Sequence, residues 1–241
     1  RFSAGSTRAV DATSVRYTAA YMRLAGNIYL ANPTAENRQS FQQWLETAET
    51  EAEGLISSGL TSARQLDASI DTYVARARQF LDASAPRTAA VERVEQLGIE
   101  HRRNIGRLND MLETRGVVDL AYTALRASEA FLVTRVRVDR FLAGGDISEF
   151  ASASGPLEQT QTLLQSIAPG SLLGEERSLL TTARDGVAEF GRAINAARDA
   201  ELLNRQRLAD MQSAVPQLTT AMEALRSDAE GYLDDLADTS T

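Results

Sequence analysis

Arginine is the residue type in this sequence best suited to recognising a ligand, and Arg135 is the clearest candidate. Its guanidinium presents a planar fork of donors that matches a carboxylate bidentately and stays charged. Helical spacing places Arg135 on the same apolar stripe as Phe131 and Val138, with no acid beside it on that stripe. Because burying an unpaired charge is costly, an inward arginine without an acid predicts a site for a ligand anion.

A predicted distal pocket surrounds Arg135. His101 lies on the apolar seam of its own helix, and antiparallel pairing across the next turn places it level with Phe131 and one turn from Ser128. Phe190 of the last helix falls near the same level. The pocket therefore consists of His101, Ser128, Phe131, Arg135 and Phe190. The alternative is a core histidine hydrogen-bonded to Ser128, with Arg135 extending to solvent at the edge of a bundle.

The other arginines of these helices have structural interpretations. Arg126, Arg137 and Arg140 fall on the face opposite Arg135, near Glu129 and Asp139, which predicts a solvated or dimer-facing surface. In the last helix, Glu201 and Asn204 occupy seam positions. Arg198 and Arg205 lie three and four residues from Glu201, the spacing of ion pairs on a helix. These residues predict a structural polar layer.

The composition excludes several classes of function. With one histidine, no cysteine and no glycine-rich phosphate loop, the chain lacks the groups for most nucleophilic, thiol and nucleotide chemistry. We therefore expect no enzyme, no cofactor and no metal site. A net charge of −8 argues against nucleic acid and against an anionic membrane surface as partners. No apolar run approaches the roughly 20 residues that a membrane-spanning helix needs.

Apolar residues recur at three- and four-residue spacing almost throughout the chain, which predicts an all-α protein. Turn residues separate helical segments at about residues 5–31, 34–57, 61–83, 86–115, 117–143, 146–167 and 172–238. Thr34 is suited to cap the second segment. If the third segment continues through Pro86, the chain has four short helices and two long ones.

Six helices of these lengths predict two stacked four-helix bundles that share the long helices. Residues 1–85 with 200–241 form a membrane-proximal module, and residues 86–199 form a membrane-distal module. Both termini then lie at one end, which suits a domain held between two membrane spans just outside this sequence. We expect Pro216 to bend the last helix without ending its apolar repeat, which runs from Leu180 to Leu236.

The first helix has an apolar repeat and a polar flank. The predicted buried seam consists of Val10, Ser14, Tyr17, Tyr21, Leu24 and Ile28. Arg16, Arg23 and Asn27 line one flank of this seam. Pairing with the last helix places Arg23 near Thr220, where Gln212 and Thr219 form a polar surface. Taken from the residues alone, these groups fit ordinary charges at the edge of a bundle.

A short motif occurs in both halves of the chain. Arg23, followed six residues later by Tyr29-Leu30-Ala31, matches Arg135, followed six residues later by Phe141-Leu142-Ala143. Each copy ends a helix, so an internal duplication and chance are both open. The stretch from Arg126 to Arg135, RASEAFLVTR, resembles the R-x-x-E-x-x-F-L-x-R signature of helical bimodular sensor domains. These are extracytoplasmic domains of bacterial chemoreceptors and of some sensor histidine kinases.

The resemblance covers the order of six helices and implies a function. It implies an extracytoplasmic sensor domain of a methyl-accepting chemotaxis protein that binds small organic acids, one site per module, and passes a helix displacement to the membrane. The implied proximal site lies between the first and last helices, at Arg16, Tyr17, Arg23, Asn27, Gln212 and Thr219. The resemblance also implies a homodimer and a periplasmic domain of an inner-membrane protein. The alternatives are the sensor domain of a histidine kinase, or a helical bundle that binds a periplasmic protein and no small ligand.

Overall fold

The protein is all-α in the residues that the structure, a computed structural model, describes: the backbone of residues 2–238, with side chains from residue 9 to residue 234. Seven α-helices follow one another along the chain, with a short 3-10 turn before the sixth. They are α1 (Phe2–Ala31), α2 (Ala35–Ile56), α3 (Ala63–Thr114), α4 (Val118–Gly144), α5 (Ile147–Ser166), the 3-10 turn (Pro169–Ser171), α6 (Gly174–Ser213) and α7 (Val215–Asp238).

The predicted six-helix order is confirmed, because α6 and α7 are one helical path interrupted at a single residue, Ala214. Pro216 explains the interruption: it has no backbone N–H, and its ring crowds the carbonyl of the preceding turn. The apolar repeat nonetheless continues across the break, since Met211 and Leu218 are both buried. Leu236, predicted on the same repeat, lies outside the residues whose side chains are described. By contrast, Pro86 lies inside an uninterrupted α3.

The chain folds into two compact units, which we call unit 1 and unit 2. Unit 1 comprises the chain up to Asp82 together with the chain from Arg205 onward, and unit 2 comprises Ala83–Asn204. In unit 1, α1, α2, the first part of α3 and α7 share one apolar core around Phe41, Leu66 and Leu218. In unit 2, the rest of α3, α4, α5 and α6 share another around Phe131 and Phe190. Their assignment as membrane-proximal and membrane-distal modules stays a prediction.

The turns between helices follow the local chemistry of the sequence. Thr34 caps α2 as predicted, its hydroxyl accepting a hydrogen bond from the backbone N–H of Asn37 at 3.1 Å. Asp146 caps α5 in the same way through Ser148. Gly116, between α3 and α4, has a φ of +78°, a conformation that glycine adopts without the steric cost that a side chain brings.

The predicted seam of α1 is wrong. Val10, Tyr17, Tyr21, Leu24 and Ile28 are between 46% and 64% exposed. The buried stripe of α1 instead consists of Ala12, Val15, Thr18, Ala19, Met22, Ala25 and Tyr29. Both stripes have helical spacing, and the inner one is rich in small residues because α1 packs closely on its neighbours. For example, a methyl group added at Gly26 would lie 3.1 Å from the Phe41 ring.

Candidate functional site

In unit 1, a cleft of about 190 Å³ lies between α1 and α7. Thr13, Arg16, Tyr17 and Ala20 of α1 line it, together with Met222 of α7. Arg16 is half-buried, and its Nε is buried and makes no hydrogen bond among the described residues. The cleft is therefore lined by a cationic side chain, one of whose donors has no hydrogen-bond partner among the described residues. Such a group binds an anionic oxygen strongly when water is partly excluded.

Arg23 lies on α1 two turns beyond Arg16 and has a protein partner. Its Nη1 donates to Thr219 Oγ1 at 3.1 Å, and the Thr219 hydroxyl donates in turn to the Val215 carbonyl at 2.9 Å. Arg23 also acts on Tyr73 of α3. Burial raises the pKa of Tyr73 to about 12, and Arg23 partly opposes that shift. This arginine consequently joins α1 to α7 and faces the first part of α3.

The structure brings four of the six proximal residues into two adjacent groups, Arg16 with Tyr17 and Arg23 with Thr219. Asn27 and Gln212 are exposed and line neither the cleft nor the Arg23 contact. Helix pairing predicted that Arg23 lies near Thr220 of the last helix. Its contact is with Thr219, one residue earlier. Sequence reasoning missed Thr13, Ala20 and Met222. Helical spacing could have found the first two, which lie three residues before and four after Arg16.

In unit 2, His101 is buried and unsatisfied. The residue is 3% exposed, and neither ring nitrogen makes a hydrogen bond among the described residues. The alternative of a core histidine hydrogen-bonded to Ser128 is therefore wrong. The ring packs against Gly186 of α6, where an added Cβ would lie 2.2 Å from Nδ1. Burial lowers the pKa of His101 below its usual 6.5, against the opposing effect of Glu100 and Glu189.

Arg135 of α4 contacts α3 about one helical turn from His101. Its side chain crosses Gly98 of α3, where an added Cβ would lie 2.7 Å from Nε. Arg135 is half-buried and makes no ion pair or hydrogen bond within the described part of the chain. It nevertheless acts on Asp139, one turn on: burial raises the pKa of the Asp139 carboxyl and Arg135 opposes that shift, so an acid does lie near Arg135. Gly98 and His101 are three residues apart on α3. The Arg135 side chain therefore crosses α3 on the face to which His101 belongs.

The remaining distal residues lie in the core beside these groups. Phe131 and Phe190 pack edge to face, with ring centroids 4.9 Å apart. Phe190 follows Gly186 by one helical turn, which places this aromatic pair next to the His101 ring along α6. Ser128 is half-buried on α4. The structure thus gathers the five predicted residues on facing sides of α3, α4 and α6.

Of the three arginines predicted on a solvated or dimer-facing surface, Arg126 and Arg140 are exposed and Arg137 is half-buried. Arg137 and Arg140 pair with Glu149 of α5 at 2.8 Å and 3.8 Å, so this surface contacts α5 at these residues. Arg198 pairs with Asp199 and lies over the Phe150 ring, with its guanidinium carbon 5.0 Å from the centroid. It does not pair with Glu201.

The buried Glu201 carboxylate accepts from Arg87 Nε of α3 at 2.5 Å, a contact with the facing helix that spacing along α6 alone does not predict. The polar layer at this position therefore links α3 to α6. The predicted pairing of Glu201 with Arg205 stays a prediction.

The two copies of the repeated motif occupy equivalent positions in their units. Arg23 contacts α7, the last helix of unit 1, and Arg135 contacts α3, the helix in the corresponding place of unit 2. The aromatic residue six positions later is buried in both copies and packs on the following helix. Tyr29 lies 6.4 Å from Phe41, and Phe141 lies 5.3 Å from Phe150, between ring centroids. Internal duplication and chance both stay open as explanations of the motif.

Two other clefts are chemically less suited to an anion. One, of about 730 Å³, lies beside the turn that precedes α3 and contains the Asp228 carboxylate. Asp228 accepts from the backbone N–H and the hydroxyl of Ser62, and these bonds lower the pKa of its carboxyl. The other, of about 370 Å³, is lined by Arg115, but Glu176 already pairs with that arginine. Of these three clefts, the α1–α7 cleft is lined by an arginine whose Nε has no hydrogen-bond partner among the described residues.

Acid is expected to destabilise unit 2 through His101, the single histidine of the chain. The unfolded histidine takes up a proton near its usual pKa, whereas the buried ring resists protonation, so stability falls as the pH drops through 6.5. The loss is expected to develop between about pH 7.5 and about pH 5.5, around the ordinary histidine pKa of the unfolded chain. Urea unfolding followed by far-UV circular dichroism measures it. The same pH change should affect His101→Gln less, and equal slopes for both proteins would contradict this account.

Comparison with known proteins adds no family assignment. No protein-family model matches the chain, and no curated protein matches it significantly in sequence. Within the described residues, no helix is long and apolar enough to cross a membrane. Nor do the described residues contain a cluster of three or more histidine and acidic side chains placed to hold a metal ion.

Proposed function

We propose that this chain is the extracytoplasmic sensor domain of a transmembrane chemoreceptor and that it binds a small carboxylate in the α1–α7 cleft. The observation that supports this proposal is the buried, unsatisfied Nε of Arg16 in a cleft of about 190 Å³. A carboxylate there would accept from the guanidinium, and Tyr17 lines the same cleft. Thr13 already donates its hydroxyl hydrogen to the Ala9 carbonyl, so Arg16 and Tyr17 are the lining side chains with a donor for the ligand.

Arg135 provides a second anion-binding group in unit 2. Its guanidinium is half-buried, carries no ion pair among the described residues and lies against Gly98, close to the unsatisfied His101 ring. The equivalent placement of Arg23 and Arg135 supports one ligand position per unit. Because Arg23 already has Thr219 as a partner, we place the stronger site of unit 1 at Arg16.

Signal transfer in this proposal depends on the differential affinity of the ligand for two packings of the bundle. An acid that bridges α1 and α7 stabilises the packing in which these helices close on it, and can shift the equilibrium only by that difference in affinity. Because α7 is one uninterrupted helix, a small slide or rotation at Met222 carries along its length as a rigid displacement. In the proposed setting, α7 leads towards a membrane span, with the domain in the periplasm.

A thermal-shift screen of mono- and dicarboxylates, followed by titration calorimetry on the strongest, tests the proposal. A ligand at 100 times its Kd stabilises the protein by about 2.7 kcal/mol, which a melting curve resolves. Arg16→Ala is expected to weaken binding by about tenfold to a hundredfold, as loss of a charged hydrogen bond predicts. Arg64→Ala, which removes an exposed arginine from α3 of the same unit, is the matched control and should bind as wild type.

The screen separates the proposal from its alternatives. If no acid binds, or if Arg16→Ala and Arg64→Ala bind equally well, the carboxylate site in unit 1 does not exist. Arg135→Ala, measured alongside, reports on unit 2 independently. An acid that still binds Arg16→Ala but fails to bind Arg135→Ala would place the ligand in unit 2.

A further inference from the structure

A second cleft of unit 1 has the opposite charge to the α1–α7 cleft. It has a volume of about 730 Å³ and lies between residues 59–65, at the turn that precedes α3, and residues 224–232 of α7. Among the described residues that line it, Asp228 is the one that carries a charge, and none is an arginine. Small-molecule sites usually have volumes of about 300–1,000 Å³, so this space is large enough for an organic ligand. We call it the Asp228 cleft.

The Asp228 carboxylate is held in position and ionised. Its Oδ2 accepts from the backbone N–H of Ser62 at 3.0 Å and from the Ser62 hydroxyl at 2.9 Å. The Ser62 backbone bond has the largest effect on the pKa of this carboxyl and lowers it, so the group is negatively charged at neutral pH. A carboxylate has about four acceptor positions, and both Ser62 bonds end on Oδ2. Asp228 therefore retains acceptor positions for a ligand.

Tyr232 gives the cleft an aromatic wall one helical turn from Asp228. The residue is half-buried and packs against the apolar core of unit 1. Residues four apart are neighbours on the surface of a helix, so a cation bound at Asp228 lies beside the Tyr232 ring. Aromatic rings attract cations within about 6 Å of the ring centroid. A carboxylate and an aromatic ring at this spacing favour a ligand that joins a positive charge to an apolar body.

The number of carboxylates decides between a metal ion and an organic cation. Calcium takes about six to eight oxygen ligands, several of them carboxylates, whereas this cleft offers the single carboxylate of Asp228. A primary ammonium has three N–H donors and needs fewer acceptors. Besides Asp228, the side chains of Gln65 and Ser227 line the cleft and contain oxygen acceptors. Ala224 and Gly231 line it too, and their small size leaves room for the body of the ligand.

We propose that the Asp228 cleft binds a primary amine that carries a compact apolar body. The ammonium group donates to the Asp228 carboxylate, and the body lies against Tyr232 and over Gly231. The Asp228 cleft shares no lining residue with the α1–α7 cleft and takes a ligand of the opposite charge. The inference therefore goes beyond the proposed function and does not rest on it.

A thermal-shift panel of primary amines, from n-butylamine to 2-phenylethylamine, tests for the site. Each amine is compared with the alcohol of the same carbon skeleton, which has nearly the same shape and no charge. At neutral pH these amines are protonated, as the side chain of lysine is. The expected result is that an amine stabilises the protein and its alcohol, at equal concentration, does not. Titration calorimetry then gives the Kd of the most stabilising amine.

Asp228→Asn removes the charge from the cleft and keeps an oxygen acceptor for Ser62. It should raise the Kd of the amine about tenfold to a hundredfold, as loss of a charged hydrogen bond predicts. Asp234→Asn is the matched control, because it removes the same charge from an exposed position of α7 that does not line the cleft. This control should bind the amine as wild type does. Far-UV circular dichroism checks that both variants are folded.

Gly231→Leu tests the cleft without changing the carboxylate. A Cβ added at Gly231 meets no heavy atom within 4 Å, so the leucine can enter the cleft without disturbing the core. It should weaken amine binding about tenfold or more, because the ligand can no longer bury its apolar body there. Arg16→Ala should leave amine binding unchanged. Two results would overturn the inference: no amine that stabilises the protein more than its alcohol, or the same amine Kd for Asp228→Asn and Asp234→Asn.

Discussion

Gly186→Ala is expected to destabilise unit 2 by about 1 to 2 kcal/mol, although alanine is the better helix former. The added Cβ would lie 2.2 Å from Nδ1 and 2.3 Å from Cε1 of the buried His101 ring. Real contacts are never this short, so the ring or α6 must move within a packed core. Overpacking of this kind costs typically 1–3 kcal/mol and occasionally more, which outweighs the gain of about 1 kcal/mol in helix propensity.

A double-mutant cycle with His101→Ala isolates the contact. Removing the ring leaves a cavity that the new methyl group partly fills, so Gly186→Ala should cost little or nothing in the His101→Ala background. Gly106→Ala, on α3 of the same unit, has no heavy atom within 4 Å of the added Cβ. It should stabilise the protein by about 0.5 to 1 kcal/mol. Urea unfolding followed by far-UV circular dichroism measures all four variants, and an additive cycle would refute the proposed overlap.

Fluorescence of Trp44 sharpens the same experiment. Trp44 lies in unit 1, whereas circular dichroism reports helices of both units. If Gly186→Ala acts through His101, the dichroism transition should move to lower urea. Comparing the urea midpoints of the fluorescence and dichroism transitions then shows how much of the loss of stability also affects unit 1.

Periodicity predicted the seam of α4 and failed for α1, and the residues explain the difference. On α4 the inward stripe contains the large side chains of Phe131 and Val138, both buried, although Tyr122 and Leu125 lie exposed on the same helix. On α1 the larger apolar residues, Tyr17, Tyr21 and Leu24 among them, lie outside, while small residues fill the close-packed inside. Hydrophobic pattern alone assigns the larger side chains to the core. The pattern does not indicate how closely two helices approach each other.

The positions of the site residues along the paired helices could be predicted from the sequence, but the side chains that they contact could not. Antiparallel counting brought Arg23 within one residue of its contact on the last helix and correctly put Arg135 beside the His101 face of α3. Counting could not show that Thr219 satisfies Arg23 while Arg16 stays unsatisfied. That distinction depends on side-chain conformation and on the cleft left by Ala20. Similarly, the placement of the His101 ring depends on Gly186, because the absence of a side chain at that position leaves room for the ring.

Glu176→Ala is expected to destabilise unit 2 by about 3 kcal/mol, because it removes two interactions of one buried carboxylate. The Glu176 side chain is 2% exposed, and its Oε1 pairs with Arg115 Nε at 2.8 Å. Its Oε2 accepts from the backbone N–H of Leu173 at 2.8 Å, immediately before α6, so it also caps that helix. Breaking a buried ion pair costs about 3–5 kcal/mol, and the low end applies because Arg115, 29% exposed, can regain water.

The neighbouring residue supplies the control for this prediction. Glu175 also lies in the first turn of α6, but its side chain is 66% exposed and its contact with Arg107 is 3.5 Å long. Both glutamates share the favourable position at the helix N-terminus, so Glu175→Ala should lose only about 0.5 kcal/mol. Glu176→Gln, which keeps an acceptor for Leu173 and loses the charge, should fall between the two. Equal urea midpoints for Glu175→Ala and Glu176→Ala would show that burial of the Glu176 pair contributes nothing to the stability of unit 2.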